Sequence, residues 1–147
     1  SYMDGVAFAS GERDQQYDVV IIDSTDPVNV GEGLFTADFY ANCYRILKDD
    51  GILINQAESP IFTAKWLKQI VQKLSGIFPR LHFYHASIPT YPSGYWMFGF
   101  ASKQYHPVNN FREDKFKELD LLLNYYNREI HQAAFVLPNY VRKIIDD

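Results

Sequence analysis

The segment Tyr17–Pro27, YDVVIIDSTDP, constrains the fold of this chain more than any other feature. Four consecutive apolar residues, Val19–Ile22, predict a strand that is buried on both faces, as in a parallel sheet. Two carboxylates, Asp23 and Asp26, follow this strand closely. Ligands of open α/β sheets bind beyond the carboxyl ends of the strands, so these acids favour a site for a cationic ligand. The alternative is that both residues only form the turn, because Asp, Ser and Thr hydrogen-bond their own backbone in turns.

Strands and helices alternate along the rest of the chain. A helix that Thr36 can cap carries apolar residues at helical spacing, and Asp49–Gly51 are expected to end it. A second buried strand, Ile52–Ile54, leads to a helix that Thr63 can cap. A turn-rich link predicts that two further strands pair as a hairpin, and these strands are Leu81–Ser87 and Trp96–Ser102. This order of elements is typical of the second half of a nucleotide-binding α/β sheet.

The C-terminal part of the chain has a different pattern. An apolar stripe at helical spacing predicts another helix, and its members are Phe116, Leu119, Leu123 and Tyr126. The adjacent aromatic pair, Tyr125 and Tyr126, is more typical of a core than of a site. A short helix is expected after Asn127, and Pro138 is well placed to start a last one.

Composition narrows the classes of function. The 147 residues suffice for one domain, and their net charge of −4 argues against nucleic acid as the main partner while it permits a basic ligand. The single cysteine, Cys43, excludes an intrachain disulfide and favours a reducing, cytoplasmic setting. Its apolar neighbours indicate a core residue rather than a nucleophile. No apolar run approaches membrane-spanning length and the start is unlike a signal peptide, so no membrane partner is expected.

Four motifs resemble those of the spermidine synthases, the polyamine aminopropyltransferase family, and they occur in that family's order. They are YDVVIIDSTDP with the following GEGLF, then INQAESP, ASIPTYPSG and YYNREIHQAAFVLP. The resemblance covers nearly the whole chain and corresponds to the C-terminal part of the catalytic domain. It implies an α/β fold, the C-terminal half of a Rossmann-like sheet of the class I methyltransferase type, with a helical C-terminal extension. The family's N-terminal β domain and Gly-rich cofactor motif have no counterpart in residues 1–147, so the chain is expected to be part of a longer protein.

The resemblance also implies a reaction. In this family an amine of putrescine attacks the propylamine carbon of decarboxylated S-adenosylmethionine, and spermidine and methylthioadenosine leave. Putrescine is therefore the expected partner and decarboxylated S-adenosylmethionine the co-substrate, with no metal and no other cofactor. The complete protein is expected to be a homodimer or homotetramer, and the missing N-terminal half is a further expected partner. Alone, these residues are expected to bind the co-substrate poorly.

Matching positions take roles at the reacting amine. Asp23 matches the catalytic acid that accepts a proton from the amine. Asp26 matches a residue that holds the diamine, Gln56 matches a side chain that lines the diamine channel, and Tyr91 matches a tyrosine that orients the reacting amine.

Three positions match the family's contacts with the co-substrate. Asp4 corresponds to the acid that accepts a hydrogen bond from the adenine amino group. Gly5 follows it in the acidic–glycine turn of MDGVAF, and Leu34 is expected to pack against the adenine ring.

Elementary chemistry agrees with a carboxylate at this place. Alkyl ammonium groups titrate near pH ~10, so a diamine binds as a cation, yet it must lose a proton before it can attack. A carboxylate serves as counter-ion and as acceptor of that proton. Other loop acids, Glu32 and Glu58, are expected to be solvated rather than catalytic, and His131 is expected to be structural. His82 and His85 lack the spacing of metal ligands.

Three rival interpretations are open from the sequence. The protein could be an aminopropyltransferase with another amine acceptor, or a non-catalytic fragment or paralogue that only binds a partner. A methyltransferase on the same fold is a third, and the acid pair together with IPTYPSG favours a diamine acceptor over it.

Overall fold

The computed structural model describes residues 3–24 and 29–146, and at its centre is a four-stranded sheet. The strands are β1 (Tyr17–Ile22), β2 (Leu47–Gln56), β3 (Arg80–Ser87) and β4 (Tyr95–Ser102). Across the sheet they follow the order β1-β2-β4-β3. β1 and β2 run parallel, whereas β4 is antiparallel to both of its neighbours. The predicted α/β fold, the parallel pair and the terminal hairpin are therefore confirmed.

One face of the sheet shares a buried apolar core with four helices. These helices are α1 (Gly5–Ser10), α2 (Ala37–Ile46), α3 (Ala64–Ser75) and α6 (Asn139–Asp146). Leu53 of β2 and Ala101 of β4 are register partners on this face, and neither is exposed to solvent. A 3-10 helix, Asn29–Phe35, precedes α2.

The opposite face of the sheet carries the C-terminal segment. Successive side chains of a strand alternate between faces, so Ile54 and Phe100 point away from the helical core. The ring of Phe135, which directly follows α5 (Arg128–Ala134), lies 6.3 Å from the ring of Phe100 and 5.2 Å from that of Tyr84.

Two helix starts show how the sequence positions these elements. Thr36 caps α2 as predicted, because its Oγ1 accepts a hydrogen bond from the Phe39 amide at 3.1 Å. Thr63 precedes α3, but its side chain does not cap that helix. Its Oγ1 instead donates to the Ser59 carbonyl at 2.9 Å, which shapes the turn before α3.

Strand β1 is partly exposed, so the prediction of burial on both faces is wrong. Val20 and Ile22 pack on the helical core, but Val19 and Ile21 are 48% and 71% exposed. β1 is the edge strand of the sheet in the part of the chain that the structure describes, and Phe135 of the C-terminal segment on the face opposite the helices contacts β3 and β4 instead. Val19 and Ile21 point to the face opposite the helices.

Strand β2 begins earlier than the sequence predicts. α2 ends at Ile46 and Leu47 already belongs to β2, where it is the register partner of Tyr17. The register of the pair then shifts before Val19. The acidic residues that were expected to end the helix therefore lie exposed within the irregular start of the strand.

The predicted helical stripe of the tail is also wrong beyond its first turn. α4 (Glu113–Glu118) ends before Leu119, and Asp120 follows with a φ of 43°, in the left-handed region. Leu119 and Leu123 are consequently exposed, as is Tyr125, so the expected core pair of tyrosines does not form. The short helix after Asn127 and the last helix after Pro138 are confirmed as α5 and α6.

Cys43 lies on α2 and is only 1% exposed, which confirms its place in the core. Burial raises the pKa of its thiol to about 12. Within residues 3–24 and 29–146, no helix combines the length and the apolar character that crossing a membrane requires.

Candidate functional site

A cavity of about 760 Å³ lies beyond the carboxyl ends of β1 and β2. Residues that follow these two strands line one side of it. The turn before α3 and the loop between β3 and β4 line the others. Parallel strands end at the same edge of a sheet, so this is the place where the fold brings loop side chains together.

Polar side chains form the strand side of the cavity. Asp23 is the first residue after β1 and is exposed. Gln56 ends β2 and is 7% exposed, and its Nε2 donates to the Ser24 carbonyl at 3.1 Å. This hydrogen bond ties the ends of the two strands together, so the amide and the carboxylate are held on one wall.

Glu58 is buried in the same wall, although its place in a loop predicts a solvated acid. Glu58 is 1% exposed, so the prediction that its side chain is solvated is wrong. The Met97 amide donates to its carbonyl at 3.0 Å, and the Ala57 amide donates to the Met97 carbonyl at 2.9 Å. Pairing with β4 thus continues past the end of β2 and draws Glu58 inward. Glu58 has a φ of 73°, a conformation that costs a non-glycine residue about 1–3 kcal/mol and often occurs at functional sites.

Aromatic rings form the facing wall. Tyr91 is 41% exposed on the loop between β3 and β4, and its ring centroid lies 4.4 Å from that of Trp96. The loop is closed by hydrogen bonds from the Ile88 amide to the Gly94 carbonyl and from the Gly94 amide to the Tyr91 carbonyl, at 2.8 and 3.0 Å. Trp96 is 7% exposed, and its Nε1 has no hydrogen-bond partner in the described part of the chain.

A second cavity of about 340 Å³, lined mostly by apolar residues that include Val19–Ile22 of β1, adjoins the first, since Asp23 and Ser24 line both. Gly5 and Leu34, two of the residues assigned to the co-substrate, lie in its wall. A Cβ atom at Gly5 would be 3.1 Å from Cδ2 of Leu34, so the start of α1 packs closely on that side chain. Asp23 therefore lies at the boundary between the two cavities.

For two of the predicted site residues, Asp4 and Asp26, the structure describes no place in the wall of either cavity. Asp4 caps α1, because its Oδ1 accepts a hydrogen bond from the Ala7 amide at 2.8 Å, and it is not among the described residues that line either cavity. Its contact with adenine stays a prediction. Asp26 lies outside the described residues, so its assigned role is also untested.

The histidines do not contribute to this site. Nε2 of His131 is 2.9 Å from the Pro107 carbonyl, and its Nδ1 is 2.9 Å from the Tyr126 hydroxyl, which agrees with a structural role. The rings of His82 and His106 are in tilted contact, with centroids 4.3 Å apart. No group of three or more His, Cys, Asp or Glu residues among residues 3–24 and 29–146 could hold a metal ion.

The sequence signal for the site was incomplete. Asp23, Gln56 and Tyr91 line one cavity, and the roles that the resemblance implies for them stay predictions. Glu58 and Trp96 were missed, because their burial depends on the pairing of β2 with β4, which no local pattern encodes. A usable signal for Glu58 was its place two residues beyond a strand that ends at the ligand-binding edge of the sheet.

The open sheet and the cleft at its carboxyl edge define an α/β protein of the methyltransferase-like type, and comparisons with solved structures agree. A spermidine synthase from Thermotoga maritima superposes with a TM-score of 0.90 and 38% identity, over 98% of this chain and 48% of that one. A spermidine synthase crystallised with the transition state analogue AdoDATO gives a TM-score of 0.91 and 39% identity, over 97% of this chain and 48% of that one.

Sequence comparisons identify the family. A profile of the spermine/spermidine synthase domain matches residues 1–115. Polyamine aminopropyltransferases of Clostridioides difficile and Clostridium beijerinckii are 52% and 48% identical over 99% of this chain. The chain belongs to the spermine/spermidine synthase family, and it spans about half the length of these relatives, 52% and 51%.

Proposed function

We propose that this chain forms the C-terminal half of an aminopropyltransferase that makes spermidine from putrescine and decarboxylated S-adenosylmethionine. The observation that carries the proposal is the position of Asp23 at the junction of two cavities. The part of the apolar cleft at Gly5 and Leu34 suits the nucleoside of the co-substrate, whereas the part along β1 is the surface that an N-terminal half would cover. The cavity at Gln56 and Glu58 suits a cationic diamine.

The chemistry follows from this arrangement. The lone pair of a neutral amine attacks the propyl carbon bonded to the sulfonium sulfur, and the carbon–sulfur bond breaks. Its electrons neutralise the sulfur, which leaves as methylthioadenosine, while the amine proton passes to the Asp23 carboxylate. Because a carboxylate is a weak base, placement matters most: holding the two reactants in line can lower the barrier by roughly 7–11 kcal/mol. We propose no metal and no cofactor other than this co-substrate.

The partners are part of the same proposal. The free edge of β1 supports the addition of further strands from an N-terminal half like that of the relatives, and the exposed side chains of Val19 and Ile21 support the covering of that face by the same half. Assembly of the complete protein into a homodimer or homotetramer stays a prediction.

Reconstitution tests the proposal. The chain is mixed or co-expressed with the N-terminal half of the Clostridioides difficile relative, and spermidine and methylthioadenosine are measured by mass spectrometry. We expect both products in equal amounts from putrescine, and methylthioadenosine binding by calorimetry in the assembly. An assembly that forms but neither binds methylthioadenosine nor releases it would favour a non-catalytic protein. Activity with another amine but not with putrescine would show a different acceptor.

A further inference from the structure

The turn between β2 and α3 presents two apolar side chains to solvent. Ile61 and Phe62 are 53% and 65% exposed. The backbone that carries them is firmly held, since Oγ of the buried Ser59 accepts hydrogen bonds from both of their amides, each at 3.3 Å. Thr63 closes the turn, because its amide and its Oγ1 both donate to the Ser59 carbonyl, at 3.0 and 2.9 Å.

The two side chains differ in where they point. Phe62 lines the 760 Å³ cavity that also contains Asp23, whereas Ile61 does not. Phe62 thereby extends the aromatic wall formed by Tyr91 and Trp96 to a third element of the fold, and it does so from a mainly exposed position at the rim. Phe62 is not among the residues of the apolar core or of those packed against it, so this fixed turn presents the phenyl ring for another purpose.

A diamine needs two kinds of surface. Its ammonium groups need oxygen acceptors, which the Asp23, Gln56 and Glu58 side of the cavity supplies. Its methylene chain needs apolar contact, and a ring at the rim can cover only the methylenes farthest from the reacting nitrogen.

We propose that Phe62 is a specificity-determining residue that selects the acceptor by chain length through contact with its distal methylenes. This inference rests on the proposed function. Burial of one methylene changes an equilibrium by about fourfold. Cadaverine has one methylene more than putrescine, so the cadaverine-to-putrescine ratio of kcat/KM measures the contact directly.

The test uses the reconstituted assembly with Phe62→Ala and, as matched control, Ile61→Ala. We expect Phe62→Ala to lower the cadaverine-to-putrescine ratio by up to about fourfold, mainly through the KM of cadaverine. The kcat and KM for putrescine are measured on the same variant, so that a general loss of activity is separated from a change in the ratio. Phe62→Leu should restore part of the ratio, and Ile61→Ala should leave it unchanged.

Two results would overturn the inference while the proposed function stands. One is an active Phe62→Ala assembly with the wild-type ratio, and the other is an equal change of the ratio in Ile61→Ala. Reduced folding of a variant is detected separately, since it lowers the active fraction for all amines equally and leaves the ratio intact. Failure of the proposed function looks different, because the wild-type assembly would then release no methylthioadenosine with either putrescine or cadaverine, and the inference would fall with it.

Discussion

Asp23 borders both cavities, and its backbone is positioned by a strand rather than by a flexible loop. We expect Asp23→Asn, which keeps the size of the side chain and removes its charge, to lower kcat at least about 100-fold, the low end of what a positioned general base contributes. Binding of methylthioadenosine should stay near its wild-type value, because the apolar cleft is intact. Steady-state kinetics and calorimetry on the reconstituted assembly measure the two quantities. Equal losses in both would contradict the assigned role.

Cys43 gives a second prediction for a single side chain. Its burial and its pKa of about 12 leave almost no thiolate at neutral pH, and the thiolate is the reactive form. The folded chain should therefore resist labelling by a thiol reagent such as DTNB at pH 8, and guanidinium should make one thiol per chain reactive. A Cys43→Ala variant gives the background. Fast labelling of the folded protein would show that α2 opens readily.

Some residues could be predicted and others could not, for physical reasons. Thr36 and Asp23 act through their immediate neighbours, as a helix cap and as the residue that directly follows a strand, so a local pattern identifies them. Glu58 is different, because its burial results from pairing with Met97, which lies far along the chain. Local reasoning assigned it the average property of a loop acid, which is exposure.

At the scale of elements, β3 carries two histidines that resist protonation. Burial, then the neighbouring His106 and Arg80, lower the pKa of His82, and burial lowers the pKa of His85. The ring of His85 stacks on Tyr95 with centroids 4.5 Å apart. In the unfolded chain both groups return to about 6.5. The unfolded state therefore binds more protons in the range below pH 6.5, and acid favours it.

The stability of the β3–β4 hairpin should thus fall as the pH drops. The contribution of both histidines is fully present above about pH 6.5 and is lost between that pH and their lower folded pKa values. We expect the melting temperature of the wild-type chain to fall from pH 7 to pH 5 more steeply than that of a His82→Gln, His85→Gln double variant. Thermal melts by circular dichroism compare the two slopes, which cancels the shared carboxylate effects. Parallel slopes would show that neither histidine gains a proton on unfolding.

The elements themselves were largely predictable where periodicity is strong. The apolar spacing along α2 and α3 matches their buried residues, and the alternation of short strands with helices gives the sheet. The prediction that the helix continues beyond Glu118 is wrong, because apolar spacing alone does not supply a surface for the helix to pack against. Leu122 illustrates this, since it is fully exposed in the same leucine-rich segment.

At the scale of the whole molecule, the central question is what lies against the outer side of β1. Its apolar run has the composition of a strand covered on both faces, yet Ile21 is 71% exposed in this chain. Sequence and structure disagree here because composition reflects the complete set of neighbours, whereas the described residues provide neighbours on one side only. The relatives are about twice as long as this chain, and under the proposed function a half like theirs would supply this cover.

Ile21→Lys separates folding of the chain from its assembly. The side chain is mostly in water, so we expect the melting temperature of the isolated chain to change little. In the assembly the same ammonium would have to be buried without a partner, which is costly. The affinity for the N-terminal half of the Clostridioides difficile relative, measured by titration calorimetry, should therefore fall by at least about tenfold, or ~1.4 kcal/mol. Gln16→Lys, an equal change of charge at an exposed residue just before β1, is the control. Unchanged affinity in Ile21→Lys, or an equal loss in Gln16→Lys, would mean that this face of β1 stays open to solvent in the complete protein.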